Sequence, residues 1–374
     1  MMESSAVLGF ATSSTEAVDM AIRILKGAVA AGASDVHLRA GAPPHVRIDG
    51  ELCPLEHPDL EADLVESVYR NFSAWANVGQ SRVAQLQLEF GCTVPNVGRF
   101  RVHAYKQQGT RAMVIRHIPL PVPDFATLRL PPVVKPITQE RRGLVLVTGA
   151  TGNGKSTTIA AMLEYMNHQS CRHVVTIEDP IEFVFTEGKS SFSQREIGVD
   201  VPTARDGLRG ALREDPDVIF VGEIRTHEEF DVALNAAEAG HLVVSTLHST
   251  DCMGAISRML GFYPPEMESH IRGRLAEALT AVICQKLLPS RGGRERVLVT
   301  EVMRRGATIV DCIRDATRFR GLPAALDSAF HELGTHSFDS MLLKMVKAGV
   351  ISIETARAAA RSEKDLIRQV KLGR

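Results

Sequence analysis

Aromatic residues are scarce in this chain, at 5% of 374 residues with a single tryptophan. Proteins that hold single-stranded nucleic acid set stacking aromatics into a basic groove, and no basic stretch interleaved with aromatics occurs here. Excess charge is missing too, because 43 Lys and Arg stand against 44 Asp and Glu. Both shortages argue against a chain whose main business is gripping nucleic acid, although a local basic face is compatible with them.

The six cysteines, Cys53, Cys92, Cys171, Cys252, Cys284 and Cys312, include no Cys-x-x-Cys pair. That spacing gives neither a disulfide framework nor a zinc site, and it points to reduced core residues of a cytoplasmic protein. Residues Met1 to Phe10 lack a basic leader and a long apolar run, so no signal peptide is expected. No apolar segment reaches the roughly 20 residues of a membrane span.

Against this background one stretch carries specific chemistry. Gly149, Ala150, Thr151, Gly152, Asn153, Gly154, Lys155 and Ser156 fit the phosphate-binding P-loop pattern, with Thr157 following. An apolar, β-branched run from Gly143 to Thr148 precedes them and reads as a buried strand; a helical stretch follows, with Asn167 as its expected stop. Strand, glycine loop and helix in that order let backbone N–H groups and a helix N-terminus converge on a polyphosphate. Lys155 then bridges the terminal phosphates of ATP, and the Ser156 hydroxyl joins the shell of Mg²⁺.

The chain before this loop reads as a small α+β domain. Ser13-Ser-Thr-Glu16 forms a capping-box pattern, and Val18, Ala21, Ile22, Leu25 and Val29 recur at helical spacing up to Gly32. Val36 to Arg39 and His45 to Ile48 alternate like strands, with Asp49-Gly50 as a hairpin turn. Arg99 to Tyr105 alternates with Phe100, Val102 and Ala104 on one face, and Arg111 to Ile118 pairs back with it. Six prolines between Pro119 and Pro136 suit an extended linker. Beyond it, strand-like and helix-like segments alternate as in a mostly parallel α/β sheet, followed by a mainly helical tail.

Two further strands end in acids. His173 to Ile177 leads to Glu178-Asp179, and the run from Asp217 ends at Glu223. In a doubly wound sheet those ends line the ligand crevice. One acid can activate the attacking water and the other can hold the metal shell. Glu178 is assigned as the base and Glu223, with Ser156, to the metal; the swapped assignment is the alternative. Asp179, Glu182, Asp215 and Asp217 are secondary candidates.

His241 and His248 bracket the apolar run Leu242 to Leu247 and are candidates for sensing the terminal phosphate and relaying its state to a neighbour. Arg205, Arg209 and Arg213 recur every four residues, a spacing that suits a row of arginines supplied to an adjacent subunit's phosphates. Arg99, Arg101, Arg111 and Arg116 are candidates on the same logic.

The combined motifs resemble the secretion-type ATPases of the GspE/PilT superfamily, and within them the PilT/PilU branch of type IV pilus retraction (twitching motility) ATPases. Ala33 to Leu38 and Pro43 to Gly50 resemble the N-terminal signature of that family; Thr176 to Phe183 its Asp box; Leu212 to Glu223 its Walker B region; Gly240 to His248 its His box. The resemblance implies a PAS-like N-terminal domain over 1–120, a linker over 121–140, a RecA-like ATPase core over 141–290 and a helical C-terminal region over 291–374. It also implies a homohexameric motor that acts on an inner-membrane pilus platform protein from the cytoplasmic face, together with related pilus motor ATPases and without nucleic acid. A pilus or secretion assembly ATPase is the alternative, and a nucleic-acid-translocating RecA-like motor a remoter one. One departure stands out. In Thr308-Ile-Val-Asp-Cys-Ile-Arg-Asp315, Val310 replaces the first arginine of the retraction branch's C-terminal segment, which leaves principal and accessory motors both open.

Overall fold

The computed structural model describes residues 14–293 and 295–371, and the chain separates into two compact units. One runs up to Pro121 and includes Asp179–Val184; the other comprises Val122–Glu178 and the chain from Phe185 on.

The first unit is built on a six-stranded antiparallel sheet, β1 (Asp35–Arg39), β2 (His45–Ile48), β3 (Glu51–Pro54), β4 (Gln87–Val94), β5 (Gly98–Gln107) and β6 (Thr110–Ile118), in the order β3-β2-β1-β6-β5-β4. The turns expected from sequence are there. Asp49 and Gly50 both take positive φ between β2 and β3, as do Gln108 and Gly109 between β5 and β6, which suits the right-handed twist of two-residue hairpins. Alternation does the rest: Phe100, Val102 and Ala104 are buried from one face of β5. They join Leu25 of the Ser14–Ala30 helix and Val68, Tyr69 and Phe72 of the Ala62–Trp75 helix in one core. Ser13, the head of the expected capping box, lies outside the described residues.

The second unit carries a seven-stranded sheet, β7 (Gly143–Thr148), β8 (His173–Glu178), β9 (Ser191–Glu196), β10 (Val218–Val221), β11 (Leu242–Leu247), β12 (Leu279–Pro289) and β13 (Arg296–Arg304), ordered β13-β12-β7-β11-β10-β8-β9. Only the β12–β13 pair is antiparallel. The central strands read as unbroken apolar runs because both faces are covered. Leu144 and Leu146 of β7 pack into the cluster that holds Leu208 and Phe230, and Val145 and Val147 into the one that holds Ile159 and Met162.

Two expectations are corrected. The proline-rich stretch is not an extended spacer throughout, because Phe125, Leu130, Val133, Val134 and Ile137 are buried in the same cluster as Met162. The prolines shape its turns and a short Val134–Thr138 helix, while the apolar residues between them pack on the second unit's sheet. Asn167 does not stop the helix after the P-loop, which runs Lys155–Gln169. It is buried, donating from Nδ2 to the Thr186 carbonyl at 2.8 Å and accepting from the Gly188 N–H at 2.9 Å. No helix among the described residues is long and apolar enough to cross a membrane.

Candidate active site

The loop after β7 has the backbone a phosphate cradle requires. Gly149, Gly152 and Gly154 all have positive φ, at 146°, 80° and 80°, a region that side chains with Cβ rarely enter. At Gly149 space is short as well, since a Cβ would lie 2.6 Å from the Gln285 carbonyl oxygen on β12. Asn153 fastens the loop to that same strand, donating to the Gln285 carbonyl at 3.1 Å and accepting from the Leu287 N–H at 3.3 Å. Gln285 reaches past the loop to donate to Thr158 Oγ1 at 2.7 Å. Sequence motifs gave no sign of Gln285; it lies far along the chain, and only the β12–β7 pairing brings it here.

Ala150, Thr151, Gly152 and Ser156 are exposed, so the loop opens to solvent, with the Ser156 hydroxyl at the first turn of the helix. The Lys155 ammonium donates to the carbonyls of Gly149 at 2.8 Å and Ala150 at 3.2 Å. Partial burial lowers the pKa of this lysine, and Glu223 acts in the opposite direction. The residues fit a nucleotide polyphosphate: three glycines free of Cβ, a cation over the loop and a helix N-terminus beneath it.

The parallel register brings the acids to the same edge. Glu223 lies two residues past β10, with Oε1 at 3.1 Å from His248 Nε2 and Oε2 accepting from Arg225 Nε at 2.8 Å. The strand end beneath it is held by Thr246 Oγ1, which donates to the Gly222 carbonyl at 2.6 Å. Glu178 closes β8 and is 8% exposed. Its Oε1 accepts from Thr176 Oγ1 at 2.8 Å and from Gln194 Nε2 at 3.4 Å. Gln194 is itself fixed by the Phe185 N–H, which donates to its Oε1 at 2.9 Å. Thr176 opens the Asp-box resemblance, but nothing in the sequence marks Gln194, which only its strand pairing with Thr176 brings here.

The two histidines part company. Strand β11 runs parallel to β7, so its C-terminal end meets the P-loop edge and its N-terminal end lies at the far edge. His248 is at the first and touches Glu223. His241 is at the second, where Nδ1 lies 2.8 Å from the Pro216 carbonyl, and the expectation that both sense the phosphate is corrected for His241. A cavity of about 810 Å³ also opens at that far edge, lined by Arg142, Glu238 and Arg305 among others, and it holds none of the P-loop residues.

The arginines divide similarly. Arg205 and Arg209 lie exposed on the Ala204–Ala211 helix. Arg213 falls beyond the end of that helix, so the expected helical row is broken, and its Nη1 donates to the Arg209 carbonyl at 3.0 Å. In the first unit Arg111 is 4% exposed, stacked over the Tyr69 ring at 4.0 Å, 3.6 Å from Glu66 and donating to the Gln85 carbonyl at 3.1 Å. Arg99 is 8% exposed and donates to Thr93 Oγ1 and the Ile181 carbonyl. Its guanidinium passes so close over Gly91 that a Cβ there would lie 2.1 Å from Nη2. Arg101 joins Glu89 and Glu182, and Arg116 pairs with Asp35 at 2.8 Å. Among the secondary acids, Asp217 accepts from the His173 N–H at 2.8 Å.

Comparison with known proteins decides the family. A family model described as Type II/IV secretion system protein matches residues 12–321. The type IV pilus retraction ATPase PilT of Pseudomonas aeruginosa is 41% identical over 332 residues, covering 88% of this chain and 95% of that protein. The chain belongs to this family. The type IV pilus ATPase PilU of the same organism is 34% identical over 353 residues, covering 94% of this chain and 91% of that one. A crystal structure of the pilus retraction motor PilT with bound ADP superposes with a TM-score of 0.84 at 40% identity, covering 93% of this chain and 98% of that one. The protein is therefore a PilT-type ATPase, with a RecA-like core around the nucleotide-binding P-loop and a small α+β N-terminal domain.

Proposed function

We propose that this chain is the ATP-hydrolysing motor of type IV pilus retraction, working as a homohexamer. It would act on the platform protein at the cytoplasmic face of the inner membrane, alongside related pilus motor ATPases. The strongest support is the 41% identity to PilT carried across 88% of the chain.

Each residue of the site then takes a role. The P-loop from Gly149 to Thr157 binds the phosphates, and Lys155 holds their terminal charge. Glu178, whose carboxylate is oriented by Thr176 and Gln194, takes the proton of the attacking water. When bound by Ser156 and Glu223, Mg²⁺ supplies charge neutralisation at the phosphates. His248 beside Glu223 is placed to register the terminal phosphate. Arg209 and Arg213 act on a neighbouring subunit's site, since both are exposed and make no ion pair among the described residues.

The chain crosses between its units at Pro121–Val122, at Glu178–Asp179 and at Val184–Phe185. Residues Asp179–Val184 are held in the first unit by Arg99 and Arg101.

A strain lacking this protein should accumulate surface pili and lose twitching, and wild-type protein but not Lys155→Ala should restore motility. Loss of pili instead would move the assignment to assembly. Val310 leaves principal and accessory motors both open, and complementation of a strain lacking its principal retraction motor would separate them.

A further inference from the structure

A second cluster of chemically competent side chains lies inside the second unit, away from every P-loop motif. Cys284 on β12 and Glu301 on β13 are direct cross-strand partners. Cys252 sits above them as the first residue of the Cys252–Leu260 helix. The two sulfurs are 3.6 Å apart, and one ligand atom from each of the three residues lies within 4.8 Å of the others. The cysteines are 0% exposed and Glu301 is 2% exposed.

We propose that Cys252, Cys284 and Glu301 form a site for one thiophilic divalent cation of the zinc class. The spacing distinguishes this from a disulfide. A disulfide requires the sulfurs to close to about 2.05 Å, a movement of some 1.5 Å in a packed interior. Two thiolates at about 2.3 Å from a tetrahedral ion lie roughly 3.8 Å apart, close to the separation already present. The third ligand is in place as well. Glu301 Oε1 accepts from the Cys252 N–H at 2.7 Å and Oε2 from the Phe338 N–H at 3.2 Å. Each oxygen keeps a lone pair for a cation. Both donors open helices, Cys252–Leu260 and Phe338–Lys347, and two helix N-termini offset the surplus negative charge of two thiolates and a carboxylate around a divalent ion. The fourth position is left for water. Thr250 is exposed and Asp251 half-buried immediately before Cys252.

The site is joined to the nucleotide loop by short covalent paths. Cys284 precedes Gln285, which grips Asn153 and Thr158, and Cys252 follows His248 by four residues. A bound cation ties together the two segments that carry these contacts. Scattered spacing hid the site in the sequence, because cross-strand pairing and not chain proximity assembles it.

The test uses the full chain with the exposed thiols removed as Cys53→Ser and Cys171→Ser, reduced, freed of metal and titrated with Cd²⁺. Sulfur-to-metal charge-transfer absorbance should saturate at one ion per chain, and the melting temperature should rise with it. Cys252→Ser, Cys284→Ser and the milder Cys284→Ala should each abolish the saturable band, while circular dichroism reports that they remain folded. Glu301→Gln should weaken binding at least tenfold. Absence of a band in the folded parent, a band that survives the cysteine substitutions, or unchanged affinity in Glu301→Gln would each overturn the assignment.

Discussion

Seven arginines are candidates for the same role by sequence, and the two units treat them in opposite ways. In the first unit Arg99 and Arg111 are buried, and Arg101 and Arg116 are committed to carboxylates. In the second unit Arg205, Arg209 and Arg213 stand exposed without an ion pair among the described residues. The difference teaches that a guanidinium in a sheet of alternating residues is recruited into that sheet's own polar network, where desolvation makes an unpaired charge costly. A guanidinium left exposed on or just past a surface helix stays available for a partner. The first set is held by structure, and the proposed action on a neighbour's phosphates falls to the second.

The largest effect expected is at the P-loop, on which the second set is proposed to act from a neighbouring subunit. Lys155→Ala should lower ATP turnover at least about a hundredfold with little change in melting temperature, because it removes a phosphate contact and no core packing. Mixing it with Arg209→Ala should restore part of the activity once subunits exchange, since some interfaces then pair an intact loop with an intact arginine. If light scattering shows mixed rings and no activity returns, Arg209 acts within its own subunit and the contrast between the units is lost.

Glu178→Gln comes next, with turnover about 10²–10⁴-fold lower and nucleotide affinity retained in an equilibrium binding assay. Glu223→Gln should instead raise the Mg²⁺ concentration needed for half-maximal turnover. Rescue of the first variant by Mg²⁺, and not the second, would exchange the two roles.

Arg111→Ala sharpens the structural side of the contrast. It strips Tyr69, Glu66 and the Gln85 carbonyl of a shared buried partner. Stability should fall by about 3 kcal/mol, read as the denaturation midpoint, with turnover per folded molecule nearly unchanged. A stable but inactive Arg111→Ala would show that the arginine leaves its pocket to act on phosphate.

Gln194→Ala should give a smaller loss, about tenfold in kcat with KM steady, because Glu178 keeps its Thr176 hydrogen bond. His241→Ala, at the far edge of the sheet, should change kcat less than about twofold. A large effect there would mean that the two ends of β11 communicate.

Much of the site could be read from the chain because its parts are local. The P-loop, the apolar runs of β7 and β11 and the acids at strand ends are each set by a few consecutive residues. What escaped depends on strand neighbours far apart in sequence. The Asn167 side chain reads as a helix stop until the 186–188 segment comes to receive it. The apolar residues among the prolines read as a linker until the Lys155–Gln169 helix offers a surface that buries them.

Local pattern alone determined that this protein carries a nucleotide loop between a buried strand and a helix, with acids waiting on two more strands. Backbone conformation and hydrophobic period are properties of short segments, and the chain states them directly. Only the tertiary structure decided which histidine meets Glu223, which arginines are spent on their own domain and which residues hold Glu178 and Asn153. Those outcomes depend on strand order and parallel register. A residue's place along the sequence does not tell to which edge of the sheet, or against which partner, its charge will be carried.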